Sequence, residues 1–362
     1  MTSLKMGLIG CGYFGSGLAR LLNDIDGVEV VAVHGGSRAS ELSEELQCTW
    51  EEQLESLMQR ADVSAVIVAS PSHAHRDAVL LAAQYGKHVF CEKPVALTLA
   101  DCEQMLQACR DAGVLFMVGH IMHFMEGIRT TKRLIAEGRI GQPLVAHAER
   151  TGWEEAQEAV SWKKNNALSG GHLFHHVHDL DLIQMIMGPA TSVVTAGGNL
   201  AHQGEGFGDE EDVLLLTLAL SGGGLATMQY GSGFRWGEHF IRLSGTKGAI
   251  RLDFKRAKLE LKEGHTFTVF PLYAAGADEQ IAEANAQRDM GVAYGTASSK
   301  LPEYLVRMMA DELACFVNAV RGEEVAAEFQ HLFDGTSARS SIATAEAALQ
   351  SMHEKKWIAI EP

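Results

Sequence analysis

No stretch of this chain approaches the roughly 20 consecutive apolar residues of a bilayer-spanning helix, and the longest apolar runs, such as Ala65 to Ala69, have the length of strands. A helical membrane protein is excluded. The opening segment Met1 to Gly10 lacks the charged, apolar and cleavage regions of a signal peptide, so the cytoplasm is the expected compartment. Positive charge is also scarce: 30 Lys and Arg stand against 46 Asp and Glu, a net charge of −16. A nucleic-acid partner is not expected, because displacing counterions from phosphates takes clustered cations. A small anionic ligand needs only local positive charge and still fits. The six cysteines, at 11, 48, 91, 102, 109 and 315, show no paired metal spacing and read as reduced core residues. Internal repeats and low-complexity tracts are absent.

What is present is the composition of a globular protein, 46% hydrophobic and 21% charged over 362 residues, long enough for two domains. The first part alternates strands with helices. Strands are expected at Met6 to Ile9, Val28 to Val33, Ala65 to Ala69, His88 to Cys91 and Leu115 to Val118. Between them, helices are expected at Ser16 to Asn23, Glu41 to Leu46, Trp50 to Met58, Asp77 to Tyr85 and Leu99 to Ala112. Such alternation implies a parallel sheet with crossover helices.

After about residue 121 the pattern changes. Val145 to Arg150, Ser192 to Ala196, Val213 to Leu220, Leu225 to Tyr230, Phe240 to Ser244, Ala249 to Asp253 and Leu259 to Leu261 read as strands joined largely by Gly-containing turns. Two helices, around His172 to Met187 and Tyr304 to Val320, are expected to cover one face of that sheet, and Ala274 to Lys300 reads as a polar surface excursion. The expectation is therefore an α/β Rossmann domain with a parallel sheet over residues 1–121, followed by an α+β domain with a large, mostly antiparallel sheet over 122–362. The C-terminal helix of the second is free to pack back on the first.

The turn Gly10-Cys11-Gly12-Tyr13-Phe14-Gly15 closes a strand and opens a helix, the setting in which this glycine pattern holds a nicotinamide dinucleotide. Gly10 permits the tight turn, Gly12 admits the pyrophosphate, Gly15 lets helix and strand pack closely, and the helix N-terminus favours negative charge. The second strand usually ends on a carboxylate for the ribose 2′-hydroxyl. Here it ends in Val33-His34-Gly35-Gly36-Ser37-Arg38. Without that carboxylate, and with Ser37 and Arg38 able to donate to a 2′-phosphate, NADP is favoured over NAD.

These residues, with Ser70-Pro71-Ser72-His73-Ala74-His75, Cys91-Glu92-Lys93-Pro94 and Gly170-Gly171 through His178-Asp179-Leu180-Asp181, resemble the glucose-fructose oxidoreductase/inositol dehydrogenase (Gfo/Idh/MocA) family. The resemblance covers almost the whole chain, including the closing Asp334-Gly335, an Ala- and Ser-rich helix, and Trp357 to Ile360. It implies an NAD(P)-dependent dehydrogenase or reductase acting on CH–OH groups of a sugar, glycoside or cyclitol. It also implies a C-terminal sheet that supplies substrate contacts and the interface of a homodimer or homotetramer. Lys93 matches the lysine that positions the substrate oxygen, and His178 matches the acid/base histidine, a suitable proton carrier near neutral pH. Ser70, Pro71, His75 and Glu92 fall at the cofactor edge.

The sequence departs from the family where a carboxylate usually precedes the histidine: Phe174 stands there, and it cannot share a proton with His178. His175, three residues before His178 on one helix surface, and His123 are the expected substitutes. Trp153 and Trp162 are of a type that stacks on sugar rings, and Lys163 and Lys164 are placed to reach a hydroxyl or anionic group. At about 100° per residue, His172, His175, His176 and Asp179 lie on one helix face, which with His120 or His123 would suit a divalent metal, although the family does not generally need one. Two rival functions remain open: a lyase or glycosidase that uses bound NAD transiently through a keto-sugar, and a non-enzymatic dinucleotide sensor.

Overall fold

The computed structural model describes residues 3–273, 276–286 and 301–361. The chain divides into two compact units, Met1–Ile121 with Tyr294–Ile342, and Met122–Ala293 with Ala343–Pro362.

In the first unit, β1 (Leu4–Ile9), α1 (Tyr13–Asn23), β2 (Val28–His34), α2 (Ala39–Leu46), β3 (Thr49–Trp50), α3 (Leu54–Gln59), β4 (Ala65–Val68), α4 (His75–Gln84), β5 (His88–Glu92), α5 (Leu99–Asp111) and β6 (Phe116–Gly119) follow in turn. The six strands form one parallel sheet in the order β3-β2-β1-β4-β5-β6. This is the doubly wound Rossmann order, with its switch point beside β1. Ala65, Val66, Ile67 and Val68 of β4 are all fully buried, as a parallel strand covered on both faces requires. Helix α5 starts where Thr98 Oγ1 accepts from the Asp101 backbone N–H at 3.1 Å, a side-chain N-cap.

Trp50 does not open a helix. Gln47 stops α2 in the left-handed conformation at φ 53°, and Thr49 and Trp50 then pair with Ala32 and Val33 as a short edge strand. The thiols Cys11, Cys91, Cys102 and Cys109 are free and buried, and burial pushes Cys11 and Cys102 up to about 12, so they stay protonated at neutral pH.

The second unit opens with α6 (Glu126–Ala136), β7 (Pro143–Thr151), α7 (Asn166–Ser169), α8 (His172–His175) and α9 (His178–Met187). It continues with β8 (Ala190–Gly198), β9 (Val213–Leu220), β10 (Leu225–Gly231), β11 (His239–Gly245), β12 (Gly248–Asp253), β13 (Lys258–Glu263), β14 (Thr266–Pro271) and α10 (Asp278–Ala286). The chain then supplies α11 (Glu303–Val320) and α12 (Gln330–Phe333) to the first unit, runs through α13 (Thr336–Glu354), and ends with β15 (Ile358–Ala359) in the second. A nine-stranded sheet runs β14-β13-β12-β11-β7-β10-β9-β8-β15, antiparallel except for the β7/β10 pair. Its strands alternate: Leu214, Leu216 and Leu218 of β9 are buried while Leu215 is exposed, so one face is covered and the other open.

Two assignments change with the structure. Helix α11 lies in the first compact unit. Its apolar stripe packs on α1 and the parallel sheet rather than on the antiparallel one. The Phe316 ring lies 5.8 Å from Phe90, and a side chain at Gly17 would come within 2.4 Å of Leu301. Residues 278–286 of the supposed irregular excursion are helical, while 274–275 and 287–300 lie outside the described residues. Strand β14 and helix α6 lie outside the elements expected from the sequence. Among the described residues no helix is long and apolar enough to cross a membrane.

Candidate active site

At the end of β1 the chain turns through Gly10, whose φ of 99° suits glycine; a Cβ there would sit 2.4 Å from the Ser70 backbone nitrogen. A Cβ on Gly15 would lie 1.9 Å from the Gly10 carbonyl oxygen, so helix and turn meet only because both positions are bare. Gly12 is different: it is the N-cap of α1, and a Cβ there would meet nothing within 4 Å. No side chain caps the helix and no acidic residue occupies its first turn. An uncapped helix N-terminus facing open space beside a glycine fits a dinucleotide pyrophosphate. Tyr13 and Phe14, edge to face at 5.6 Å, form the first turn.

At the end of β2, Gly10 N donates to His34 O at 2.8 Å and Cys11 N to Gly35 O at 3.0 Å, which ties the two cofactor loops together. The His34 ring contacts the Glu51 carbonyl at 2.9 Å. Ser37 is exposed. Arg38 donates through Nε to Glu41 at 2.9 Å, while its Nη1 is buried without a hydrogen-bond partner.

Beyond β4, the His75 ring lies between two carbonyls, Ser70 O at 2.8 Å and Pro94 O at 2.9 Å. Burial lowers its pKa and favours the neutral ring, which can donate to only one of them at a time. His75 thus pins the Ser70-Pro71 turn to the segment after β5, where Lys93-Pro94 is a cis peptide. Glu92 Oε2 accepts from the Lys93 backbone N–H at 3.2 Å. Lys93 therefore leaves the carboxyl edge of the sheet, the edge at which ligands of this fold bind.

In the second unit, the expected single helix from His172 to Met187 is broken. Helix α8 ends at His175, His176 has φ −107° and ψ 36°, and α9 starts at His178. The break removes the i, i+3 relation between His175 and His178, and with it the shared face of His172, His175, His176 and Asp179. The three rings instead form a row, His172 to His176 at 4.5 Å and His175 to His176 at 4.8 Å. Asp179 lies apart, bonded by Arg150 Nη1 at 3.2 Å and His239 Nε2 at 3.0 Å. Burial opposes its ionisation, but His239 and then Arg150 outweigh burial and hold it below the usual carboxylate range. Among the described residues, those four do not bring their ligand atoms together.

The anchoring of α9 is what holds His178. Its first turn carries Asp179 and Asp181, both favourable to the helix dipole and both buried. Asp181 accepts from His123 Nε2 at 2.5 Å, and Lys132 Nζ stands 3.5 Å from His123 Nδ1. The His123 ring is thus engaged at both nitrogens. His178, the first residue of the helix, is 9% exposed.

Lys164 is buried rather than offered to a ligand, with Nζ 2.6 Å from both Glu154 and Glu210. Lys163 sits beside it in a short 3-10 turn whose Ser161 Oγ accepts from the Lys163 backbone N–H at 3.4 Å. Trp153 is sandwiched, with the Arg235 guanidinium 3.5 Å from its ring centroid and the His202 ring at 4.6 Å. Arg150, His239, Glu154 and Glu210 were not singled out from sequence. The acidic run Glu210-Glu211-Asp212, opposite in sign to Lys163-Lys164, was the one readable signal for part of this network.

Residues 4–120 match the family model described as an oxidoreductase-family NAD-binding Rossmann fold, and residues 132–360 match that of the oxidoreductase-family C-terminal alpha/beta domain. The chain is 40% identical over 363 residues to the 2,7-anhydro-N-acetylneuraminate hydratase of Mediterraneibacter gnavus, covering 99% of this chain and 97% of that one. It is also 40% identical over 361 residues to the Escherichia coli protein of the same name, with the same coverage. Among solved structures, the WlbA dehydrogenase from Bordetella pertussis, in complex with NADH and UDP-GlcNAcA, superposes with a TM-score of 0.80. It is 20% identical, and the match covers 100% of this chain and 99% of that one. An NAD-binding Rossmann fold with its glycine cradle intact, followed by the matching C-terminal sheet, makes this chain a member of the Gfo/Idh/MocA family of NAD(P)-dependent oxidoreductases.

Proposed function

We propose that this protein adds water across the anhydro bridge of a sialic-acid-type sugar by transient oxidation, with no net change in its cofactor. The observation that carries this reading is the 40% identity, across almost the full chain, to two hydratases of 2,7-anhydro-N-acetylneuraminate. Hydration has no net redox change, yet the domain carrying the glycine cradle is an NAD-binding one. The two facts meet if the redox step is temporary. Bound nicotinamide dinucleotide supplies an acceptor that takes hydride from a hydroxyl-bearing carbon and returns it at the end.

The keto-sugar stage does what the starting sugar cannot. A carbonyl acidifies the neighbouring C–H; loss of that proton expels the bridge oxygen one carbon further on as a C=C bond forms. Water then adds across that bond, and the sum is substrate plus one water. Lys93 offers a cation to the oxygen that becomes carbonyl, and His178 carries the hydroxyl proton in both directions. Gly10, Gly12 and Gly15, the first turn at Tyr13 and Phe14, and the Ser70-Pro71 turn held by His75 would receive the dinucleotide. The missing carboxylate after β2 and the unpartnered Arg38 Nη1 favour NADP over NAD. Val145, Leu215 and Leu225 on the open sheet face suit a homodimer or homotetramer, which light scattering would measure.

The test is to incubate purified protein, with its cofactor, and 2,7-anhydro-N-acetylneuraminate. Hydrated product with no lasting absorbance from reduced nicotinamide supports the reading. Stoichiometric reduced cofactor would replace it with net dehydrogenation of a sugar, glycoside or cyclitol. Binding without turnover, indifferent to loss of Lys93 or His178, would leave a sensor.

A further inference from the structure

Redox-neutral hydration moves more protons than one histidine on the oxidised hydroxyl can carry. The keto-sugar must lose a carbon-bound proton, and the departing bridge oxygen must gain one. These transfers suit an acid/base group besides His178, and His172 of the second unit has the surroundings of one.

His172 is 4% exposed, and neither of its ring nitrogens has a hydrogen-bond partner. Buried imidazoles are almost always bonded, so such a ring awaits either a ligand or a small rotation. Its Nδ1 is 3.7 Å from Glu210 Oε1, just beyond hydrogen-bond reach. Burial opposes ionisation of Glu210, but His172 and Lys164 outweigh it and hold the carboxylate charged. Lys164, with Nζ at 2.6 Å from Glu210 and from Glu154, fixes that carboxylate in place. The row Lys164, Glu210, His172 has the order of an oriented base: a carboxylate behind one ring nitrogen, the other nitrogen left for chemistry. His172 then continues into the ring of His176 at 4.5 Å.

We propose that His172, oriented by Glu210, is the acid/base group of the bridge-opening step, an inference that rests on the hydratase reading above. His172 takes the proton from the carbon next to the carbonyl. The C–H electron pair becomes the C=C bond, and the bridge oxygen leaves with the C–O pair. The imidazolium, stabilised by Glu210, delivers the same proton to that oxygen. One C–H and one C–O bond break, one C=C and one O–H form, and no oxidant is consumed. Water addition repeats the exchange in reverse.

The experiment uses the holoenzyme with 2,7-anhydro-N-acetylneuraminate in D2O, read by product formation, deuterium incorporation at the carbon beside the oxidised one, and reduced-nicotinamide absorbance. In His172→Gln, product and deuterium incorporation should fall by about 100-fold or more, while reduced cofactor forms and accumulates. Glu210→Gln keeps His172 in place and should slow the same step roughly tenfold with a shifted pH profile. The proposal is overturned if His172→Gln makes product at the native rate. It is equally overturned if reduction and product fall together in both variants, which would make His172 and Glu210 structural. Failure of the native enzyme to make any hydrated product would instead remove the hydratase reading itself, and this step with it.

Discussion

His123 donates from Nε2 to Asp181 Oδ2 at 2.5 Å with both side chains out of water, so the segment after β6 is fastened to the first turn of α9. The bond spans 58 residues of sequence and fixes the helix that presents His178. Removing the carboxylate from a buried hydrogen bond of this kind costs about 1.5–3 kcal/mol, because the donor is left without an acceptor. Asp181→Ala should lose that much stability in urea unfolding, with cofactor affinity unchanged. A loss below about 1 kcal/mol would show that the pair does not hold the helix.

Asp179 and His239 predict the acid limb of stability. The folded-state pKa of Asp179 is depressed, so its contribution is complete above the unfolded value of about 3.9 and fades as the pH falls toward the lower folded value. His239 is also lowered, by burial, so below about pH 6.5 the unfolded chain takes a proton that the folded one resists. Native protein should therefore weaken in two stages, first below the ordinary histidine pKa and again below the ordinary carboxylate pKa. Asp179→Asn should abolish the second stage while leaving a less stable protein at neutral pH. Unfolding midpoints against pH would check this, and an unchanged second stage would assign it to other carboxylates.

Two glycines of the cofactor turn, Gly10 and Gly12, should separate cleanly. An alanine at Gly12 meets nothing, so Gly12→Ala should cost less than about 1 kcal/mol of stability while filling the space in front of the uncapped helix. Its dissociation constant for the dinucleotide should rise by at least about tenfold. At Gly10, with φ of 99° and backbone at 2.4 Å, the same change should cost about 3 kcal/mol or more in folding. Calorimetric binding and thermal unfolding distinguish the two. Equal effects on both readouts at both positions would contradict this division of labour.

What was legible in the sequence was local. The glycine turn, the alternation that builds the parallel sheet, and the period-2 strands of the second unit lie within a few residues of one another. Illegible were relations that tertiary packing creates. Asp179 meets Arg150 and His239 from 29 and 60 residues away, and Lys164 meets Glu210 across 46. The break after His175 has no Pro or Gly to announce it, so a helical period through His172 to Asp179 predicted a shared face that does not exist. Helix α11 carries a plain apolar stripe, and a stripe does not say which of two sheets will bury it.

Arg38 offers a test of cofactor choice. Its Nε is bonded to Glu41, and its buried Nη1 has no partner. A 2′-phosphate would satisfy it with a charge-assisted bond worth about 1.5–3 kcal/mol, roughly a 10- to 100-fold preference. Arg38→Gln should weaken NADPH binding by that factor and leave NADH nearly untouched, as measured by fluorescence titration of both. Equal weakening of the two would make Arg38 a structural support for the loop after β2.

Glu312 of α11 is fully buried, with no hydrogen-bond partner for either carboxylate oxygen. Burial, and then the charge of Glu92, drive its pKa well above the ordinary carboxylate value. The folded protein therefore keeps Glu312 as a neutral acid, while the unfolded chain ionises it above about pH 4.3. Stability linked to this group is complete below that pH and declines as the pH rises toward the folded value. Glutamine has the same shape and no proton to lose. Glu312→Gln should therefore match the native protein near about pH 4 and exceed it near about pH 8, with the gap in unfolding free energy widening between the two. A gap that does not change with pH would mean that Glu312 is charged in the folded state, and that Glu92 does not set its ionisation.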